Sequence, residues 1–553
     1  MEEYDFYDNH FMKKPLTFKT TWPFVLVSLT LVFGPLLVAW LLTPREYVFI
    51  GTLVNNNDFS GYLAAMRQGA DGNWLFHFNF SPEKWQPQLM LPLYIILGKI
   101  VPDGLGYAMW ANVFRVFALL LTLLMFGIWV RQIFPNMPTK QWVAWLLLVF
   151  GGGLGWLLFP LANLLGFTDS ASLFPDITDS GWGVGLIGAN APHYMLGLFL
   201  ETLFFWSFWR VTKSESWKWV WATAFIGLVV GLVYVYNITV IFAVVVLHLL
   251  WRFWEERHIS WSTSFKAGLI LAPLLPLLFY YGYWINRDPV WARYVVSSHN
   301  HIPPPPWYAL IWGAGFVGIL AAIGVHHWWK TKQNPLLIFW IVGNLLVMYV
   351  PFVQYSGRFI LGLWVPLATL AAFSLEEVVL PWLSQKAWYD NFRRLTPTPY
   401  ESLRRIILIL TVPSGFLVAF FFIKNISIQP DFPFYMPKNE IQAMKWLSKR
   451  TNPETDLIFA YYPVGNYFPQ LSDTRVFMGQ FFLTVDYEKK LSQVKQFWQA
   501  NTPNSWRQAL VKKWHITYIY QGMYENALYQ GNITPPGRLV YDQVGVKIYY
   551  TIP

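Results

Sequence analysis

The chain has 553 residues and a formal charge of +10; 55% of the residues are hydrophobic, 19% aromatic and only 13% charged. That balance excludes an ordinary soluble globular domain, and the lack of cysteine excludes disulfides, thiolate catalysis and cysteine–zinc sites. The surplus Lys and Arg gather in short loops between apolar runs, so they read as a topology signal, and no nucleic-acid partner is expected.

In chain order, apolar runs predict membrane crossings near 22–42, 107–130, 142–165, 192–210, 218–235, 238–254, 266–285, 306–327, 335–353, 358–380 and 405–424. Each approaches the ~20 residues a helix needs to cross the hydrocarbon, and backbone groups in lipid must be satisfied within the helix. The first run follows Lys13, Lys14 and Lys19 and is too long for a signal peptide core, so it reads as a retained signal anchor. A shorter run, 87–101, decides the topology. If it crossed, the basic loops at 210–218, 252–266 and 393–405 would all face outward, against the positive-inside bias. Eleven crossings are therefore expected, with the N-terminus in the cytoplasm and 87–101 lying along the outer leaflet of an inner or plasma membrane.

The same arrangement exports the loop carrying Asp169, Asp176 and Asp179, and it puts the C-terminus on the side of the first long loop. The predicted organisation is a polytopic α-helical domain over 1–424, with its first outer loop at 43–106, and a soluble extracytoplasmic α/β domain over 425–553. Pro430, Pro433 and Pro437 mark the junction. Beyond it, 439–450 and 487–500 read as helices, and 456–461, 516–521 and 544–551 as strands.

Asp58 is the leading catalytic candidate. It sits just past the first crossing in NNNDFSGYLAAMRQG (55–69), where a carboxylate reaches both lipid head groups and water-borne acceptors. It suits a general base that takes a proton from an attacking hydroxyl; the bland alternative is a helix N-cap. Tyr62, Arg67, Trp74 and Trp85 share its loop and are candidates for substrate contact, although Trp and Tyr also populate membrane interfaces generically. His193, after Pro192 at the start of a crossing, joins them, with a structural histidine as the alternative.

For an anionic donor group, the cations on the same side are Arg358 in QYSGRFILG, Arg287, Arg293 and His301, together with the neighbouring His299. Arg115 lies deeper, about 12 Å into its crossing at 1.5 Å per residue. A buried arginine there faces a polar cavity, snorkels, or pairs with an intramembrane acid such as Glu201. Asp169, Asp176 and Asp179 carry oxygens suited to Mg²⁺ or Mn²⁺, but their spacing matches no defined metal loop, and a solvated acidic loop is the alternative. No GxxxxGK[ST] or HExxH motif supports nucleotide-driven or zincin chemistry.

The order of these parts resembles that of the GT-C glycosyltransferases, integral membrane enzymes that use polyprenyl-phosphate sugars. The resemblance lies in the early Asp58, the proline-bearing segment QPQLMLPLYIILG (86–98), Arg115 early in the next crossing, and an outer C-terminal domain. TRVFMGQFFLT (474–484) and APHYM (191–195) resemble segments of bacterial members related to protein mannosyltransferases and aminoarabinose transferases. This implies a polyprenyl-phosphate sugar donor, a lipid, glycan or protein acceptor, Asp58 as base, and Arg115 or Arg358 near the donor phosphate. Asp58-Phe59 stands where many relatives carry paired acids, and Gln86-Pro87-Gln88 where some carry a double proline, which leaves acceptor class and metal requirement open. Two competing functions remain on sequence grounds: a transporter or flippase of a lipid-linked sugar that uses Arg115 and Glu201, and a non-catalytic receptor that uses the C-terminal domain.

Overall fold

The computed structural model describes residues 11–167, 170–214, 216–296, 302–350, 355–428, 432–529 and 533–551. Among the described residues, eight helices are long and apolar enough to cross a membrane: Phe18–Leu41, Tyr107–Ile133, Pro138–Leu164, Asn237–Glu256, Trp261–Arg287, Trp307–Lys330, Ser356–Ser384 and Pro399–Ser427. Trp217–Val233 and Leu336–Tyr349 are shorter apolar helices. Pro192–Lys213 is a further helix, 22 residues long, that carries Glu201 in its interior. Each of the eleven apolar runs thus holds helix among its described residues, and the chain is a multi-pass membrane protein. Within the run at 87–101, only Pro92–Lys99 is helical. Its eight residues reach about 12 Å, too short for ~30 Å of hydrocarbon.

The chain divides into two compact units, Met1–Pro35 with Arg115–Pro276 and Ile302–Phe422, and Leu36–Phe114 with Leu277–His301 and Ile423–Pro553. The first unit is a helical bundle with interrupted helices. Pro138–Phe150 stops at Gly151, and a new helix begins at Gly155. A helix restarted inside a membrane leaves backbone amides that need an acceptor. Asp176 supplies it: its Oδ2 accepts from the Gly153 amide at 3.1 Å, the Gly155 amide at 3.0 Å and the Ser414 hydroxyl at 2.7 Å. The negative carboxylate also sits at the positive end of the Gly155–Leu164 helix dipole. The solvated acidic loop expected from the sequence is therefore corrected, since Asp176 is buried. Gly153 packs directly on the Gly313 carbonyl, so any side chain there would collide with it.

In the second unit, strand Tyr47–Phe49 pairs antiparallel with Tyr435–Pro437 through Tyr47 opposite Pro437 and Phe49 opposite Tyr435. The Asn56–Ala70 helix follows and crosses Pro92–Lys99 at very close range. A Cβ at Gly98 would strike the Met66 carbonyl, and one at Gly69 would strike that of Ile95. Only paired glycines allow two backbones to approach this far.

The C-terminal segment builds a five-stranded sheet in the order Arg475–Val476, Leu457–Phe459, Tyr518–Gln521, Val546–Tyr550, Arg538–Gln543. The first three strands run parallel and the last two add antiparallel. Alternation puts Leu457, Phe459 and Ile519 on one face with Phe477, Phe497 and Trp498. Ile458 and Tyr520 face the other way, against Met444 and Leu447. The helices Lys438–Ser448 and Tyr487–Phe497 and the strands at 457, 518 and 546 fall where the sequence placed them. Helix Asn504–Trp514 and strands Arg475–Val476 and Arg538–Gln543 had not been foreseen.

Candidate active site

Asp58 occupies the first turn of the Asn56–Ala70 helix, where a negative charge is favoured by the helix dipole. The N-cap position belongs to Asn55, in left-handed conformation, so Asp58 is not the cap. Asp58 is half-buried, and its Oδ1 accepts a hydrogen bond from Gln480 Nε2 at 2.8 Å. The preceding residue, Asn57, accepts from the Tyr462 hydroxyl, and Asn56 donates to the carbonyl of Pro433 at 2.9 Å. Three consecutive polar residues at the helix start are thus fastened to C-terminal segments of the same unit. Burial, reinforced by Tyr487 and the Asp58 charge, pushes the Tyr462 hydroxyl far above its ordinary range.

The residues sharing this loop serve mostly to hold it. Arg67 is buried; its guanidinium pairs with Asp71 and Asp473, and its Nε donates to the Pro469 carbonyl at 3.3 Å. Arg67, expected in substrate contact, has all three guanidinium nitrogens engaged in this anchor. Burial alone would raise the Asp473 carboxyl; the His77 hydrogen bond, the Arg67 charge and Asn79 outweigh it and hold Asp473 below the ordinary 3.8. Tyr62 is stacked on Tyr94 at 4.5 Å between ring centroids. Trp85 is a core aromatic packed on Phe78 and Trp291. Trp74 is exposed, with the Lys99 ammonium 4.2 Å above its ring. Arg287 bonds to the Tyr283 hydroxyl, and Arg293 pairs with Asp486. His299 and His301 lie outside the described residues, as does Asp169.

In the first unit, Arg358 lies on the short turn Ser356–Ile360 ahead of the Trp364–Ser374 helix. Asn344 Nδ2 pins that turn by donating to the carbonyls of Phe359 (2.6 Å) and Leu361 (3.1 Å). The guanidinium bonds to the Tyr194 hydroxyl and lies 5.2 Å from the Tyr236 ring centroid. His193 joins the cluster by packing on Tyr194 and Tyr234. Asp179, whose Oδ1 accepts from the Gly181 amide at 2.8 Å, lies within electrostatic reach of Arg358. Burial pushes its carboxyl up to about 6, against the pull of that amide and that charge. A guanidinium set among phenol hydroxyls is a donor array for a phosphoryl oxygen.

Arg115 is wholly enclosed rather than snorkelled, and its Nη1 donates to the Ala189 carbonyl at 3.2 Å. Ala189 ends the Val184–Ala189 helix, whose last carbonyls need donors. The pairing considered between Arg115 and Glu201 gives way to neutral donors: Glu201 accepts from Asn237 Nδ2 at 2.7 Å and Trp340 Nε1 at 3.0 Å. Among the described residues, no group of three or more His, Asp or Glu is placed to hold a metal ion, and one oxygen of Asp176 is already spent on the helix break.

No protein-family model and no curated protein matches the chain. Solved structures do. ArnT from Cupriavidus metallidurans, bound to undecaprenyl phosphate, aligns with a TM-score of 0.51 at 11% identity, over 97% of this chain and 99% of that one. The Archaeoglobus fulgidus oligosaccharyltransferase in its apo form aligns at 0.50 and 10% identity, over 93% and 72%. The same archaeal enzyme, AglB, with an inhibitory peptide and a dolichol-phosphate aligns at 0.50 and 12% identity, over 91% and 70%. The chain shares the fold of these membrane proteins.

Gln480, Tyr462, Tyr194 and Tyr236 are the neighbours that sequence reasoning did not single out. Gln480 and Tyr194 fall inside the two segments noted for their resemblance, which was the available signal.

Arg67→Met tests the anchor. Leaving half-buried Asp473 with only His77 and Asn79 should cost about 1–3 kcal/mol at pH 7, read as a lower melting temperature in detergent. Asp473 is held low in the folded protein, so its stabilisation is present above the ordinary carboxylate range and fades as pH falls through its folded value. The gap between wild type and variant should therefore narrow below about pH 4. Equal melting temperatures at pH 7 would contradict the anchoring role.

Proposed function

We propose that the chain is a membrane glycosyltransferase that moves a sugar from a polyprenyl-phosphate donor to an acceptor hydroxyl on the extracytoplasmic side, with inversion at the anomeric carbon. The fold is shared with ArnT and the archaeal oligosaccharyltransferase, whose structures hold undecaprenyl phosphate and dolichol-phosphate respectively. The observation that carries the reading is the Gln480–Asp58 hydrogen bond, which fixes one oxygen of a half-buried carboxylate at a helix start.

Asp58 takes the proton of the acceptor hydroxyl as that oxygen attacks the anomeric carbon. The bond between that carbon and the phosphate oxygen breaks, and its electron pair leaves with the polyprenyl phosphate. The leaving group needs no proton; its growing charge is stabilised by fixed donors, and Arg358 with the Tyr194 hydroxyl is the assigned set. Gln480 is a positioning residue. By donating to one oxygen of Asp58, it aims the carboxylate. Arg115, Arg287 and Arg293 have structural partners and are given no part in the chemistry. A transporter that uses Arg115 and Glu201 as coupling charges is disfavoured, since Glu201 is locked between Asn237 and Trp340.

With the purified protein and a panel of polyprenyl-phosphate sugars, release of the lipid phosphate measures turnover. Asp58→Asn should lower it by ~10² to 10⁴ without shifting the melting temperature, and full activity would remove Asp58 from the mechanism. Gln480→Leu should lower kcat and leave the donor KM unchanged. An unchanged kcat would reduce Gln480 to a packing residue.

A further inference from the structure

The loops at 210–218 and 252–266 carry basic residues that a positive-inside bias accounts for by sign alone. The fold adds something that bias does not require. The end of Pro192–Lys213, the last turns of Asn237–Glu256, the start of Trp261–Leu271 and the turn after Trp307–Lys330 enclose a cavity of about 810 Å³ within the first unit. Lys213, Arg252, Lys266, Lys330 and Lys332 line it, and among the described residues Glu255 is the one carboxylate that does.

Among the described residues, none of the four lysines pairs with a carboxylate; Lys213 and Lys266 only lie over the Trp209 and Trp217 rings. Arg252 pairs with Glu256 through Nη2, while its Nε is buried with no partner. His248 also lines the cavity, is 5% exposed, and has no partner at Nδ1. It sits eight residues before the helix end at Glu256, about 12 Å into the span. Lys213 and Lys330 are the last residues of their helices, where the helix dipole favours a cation. That explanation does not reach Arg252 or Lys266, which lie inside helices, nor Lys332, which lies in a turn.

An apolar groove of about 390 Å³ is lined by Arg252, Leu249 and Thr263, which also line the cavity, and by Val246, Leu250, Phe253 and Ile259. Cations clustered around partly enclosed space repel one another unless an anion joins them, and a buried polar nitrogen without a partner is costly. A polar cavity with phosphate-binding groups, joined to an apolar trough at the end of a helix bundle, matches one occupant in both of its parts. We propose that the cavity and groove bind an anionic phospholipid of the bilayer, with the phosphodiester among Lys266, Lys330, Lys332 and His248 and an acyl chain along Leu249, Leu250 and Phe253.

The test uses the full-length protein in detergent and native mass spectrometry during titration with dioleoyl phosphatidylglycerol or dioleoyl phosphatidylcholine. Phosphatidylglycerol should be retained at least tenfold over phosphatidylcholine, and the exposed-residue double variant Lys330→Gln/Lys332→Gln should cut that retention at least fivefold with an unchanged melting temperature. Leu250→Asn should weaken phosphatidylglycerol retention by a similar factor, and millimolar inorganic phosphate should fail to displace the lipid. Equal retention of the two lipids, or retention unmoved in the lysine variant, overturns the site. Displacement by inorganic phosphate as potent as by phosphatidylglycerol overturns the lipid assignment in favour of a free-anion site.

Discussion

The side chain of Asp58 is held by a residue 422 positions away, and the proposed chemistry rests on that hydrogen bond. A carboxylate at a helix start next to a membrane would otherwise sample water and lipid head groups in many rotamers. Gln480 removes that freedom from one oxygen. Its own position depends on a buried sheet edge and on the Arg67–Asp473 ion pair, which ties the Asn56–Ala70 helix to the segment just ahead of strand Arg475–Val476. Loop and C-terminal residues thus form one compact unit, with a shared antiparallel pair at Tyr47–Phe49 and Tyr435–Pro437.

The helical unit obeys a different constraint, the requirement that buried polar groups of backbone and side chain find partners in an apolar surrounding. Asp176 meets it at the break between Phe150 and Gly155, and neutral Asn and Trp donors meet it for Glu201. Arg358 belongs to the same economy of polar groups but differs in kind. Its neighbours are phenols, an imidazole and a weakly coupled Asp179, a set that holds a guanidinium in place while still offering donors to an anion.

Much of the architecture was legible in the sequence because membrane crossing imposes a length and an apolarity that few other elements share. Helices fall in all eleven runs, eight helices among the described residues are long and apolar enough to cross, and the short run at 87–101 holds a helix of only eight residues. The strands at 457 and 518 are largely apolar because both sheet faces are buried there, whereas the strand at 546 alternates, with Lys547 exposed. What could not be read was partnership. Arg67 and Trp85 looked like substrate contacts because their types suit a sugar site, yet Asp473 and Phe78 claim them, and nothing local in the chain announces a partner 406 residues away. Asp176 looked like a solvated acid because its loop is polar. Its role follows from Gly151–Gly153, a helix-breaking run whose amides needed an acceptor. Strand Arg475–Val476 has only two residues, too few to show any period.

If Asp58 is the base for transfer from a lipid carrier on the outer face, residues one turn away must meet the external medium. The native chain has no cysteine, so a single Asn55→Cys substitution, at an exposed position beside Asp58, gives one thiol to follow. In intact cells, a membrane-impermeant maleimide should label that thiol without permeabilisation. Labelling only after the membrane is opened to the cytoplasmic side would contradict the proposed reaction.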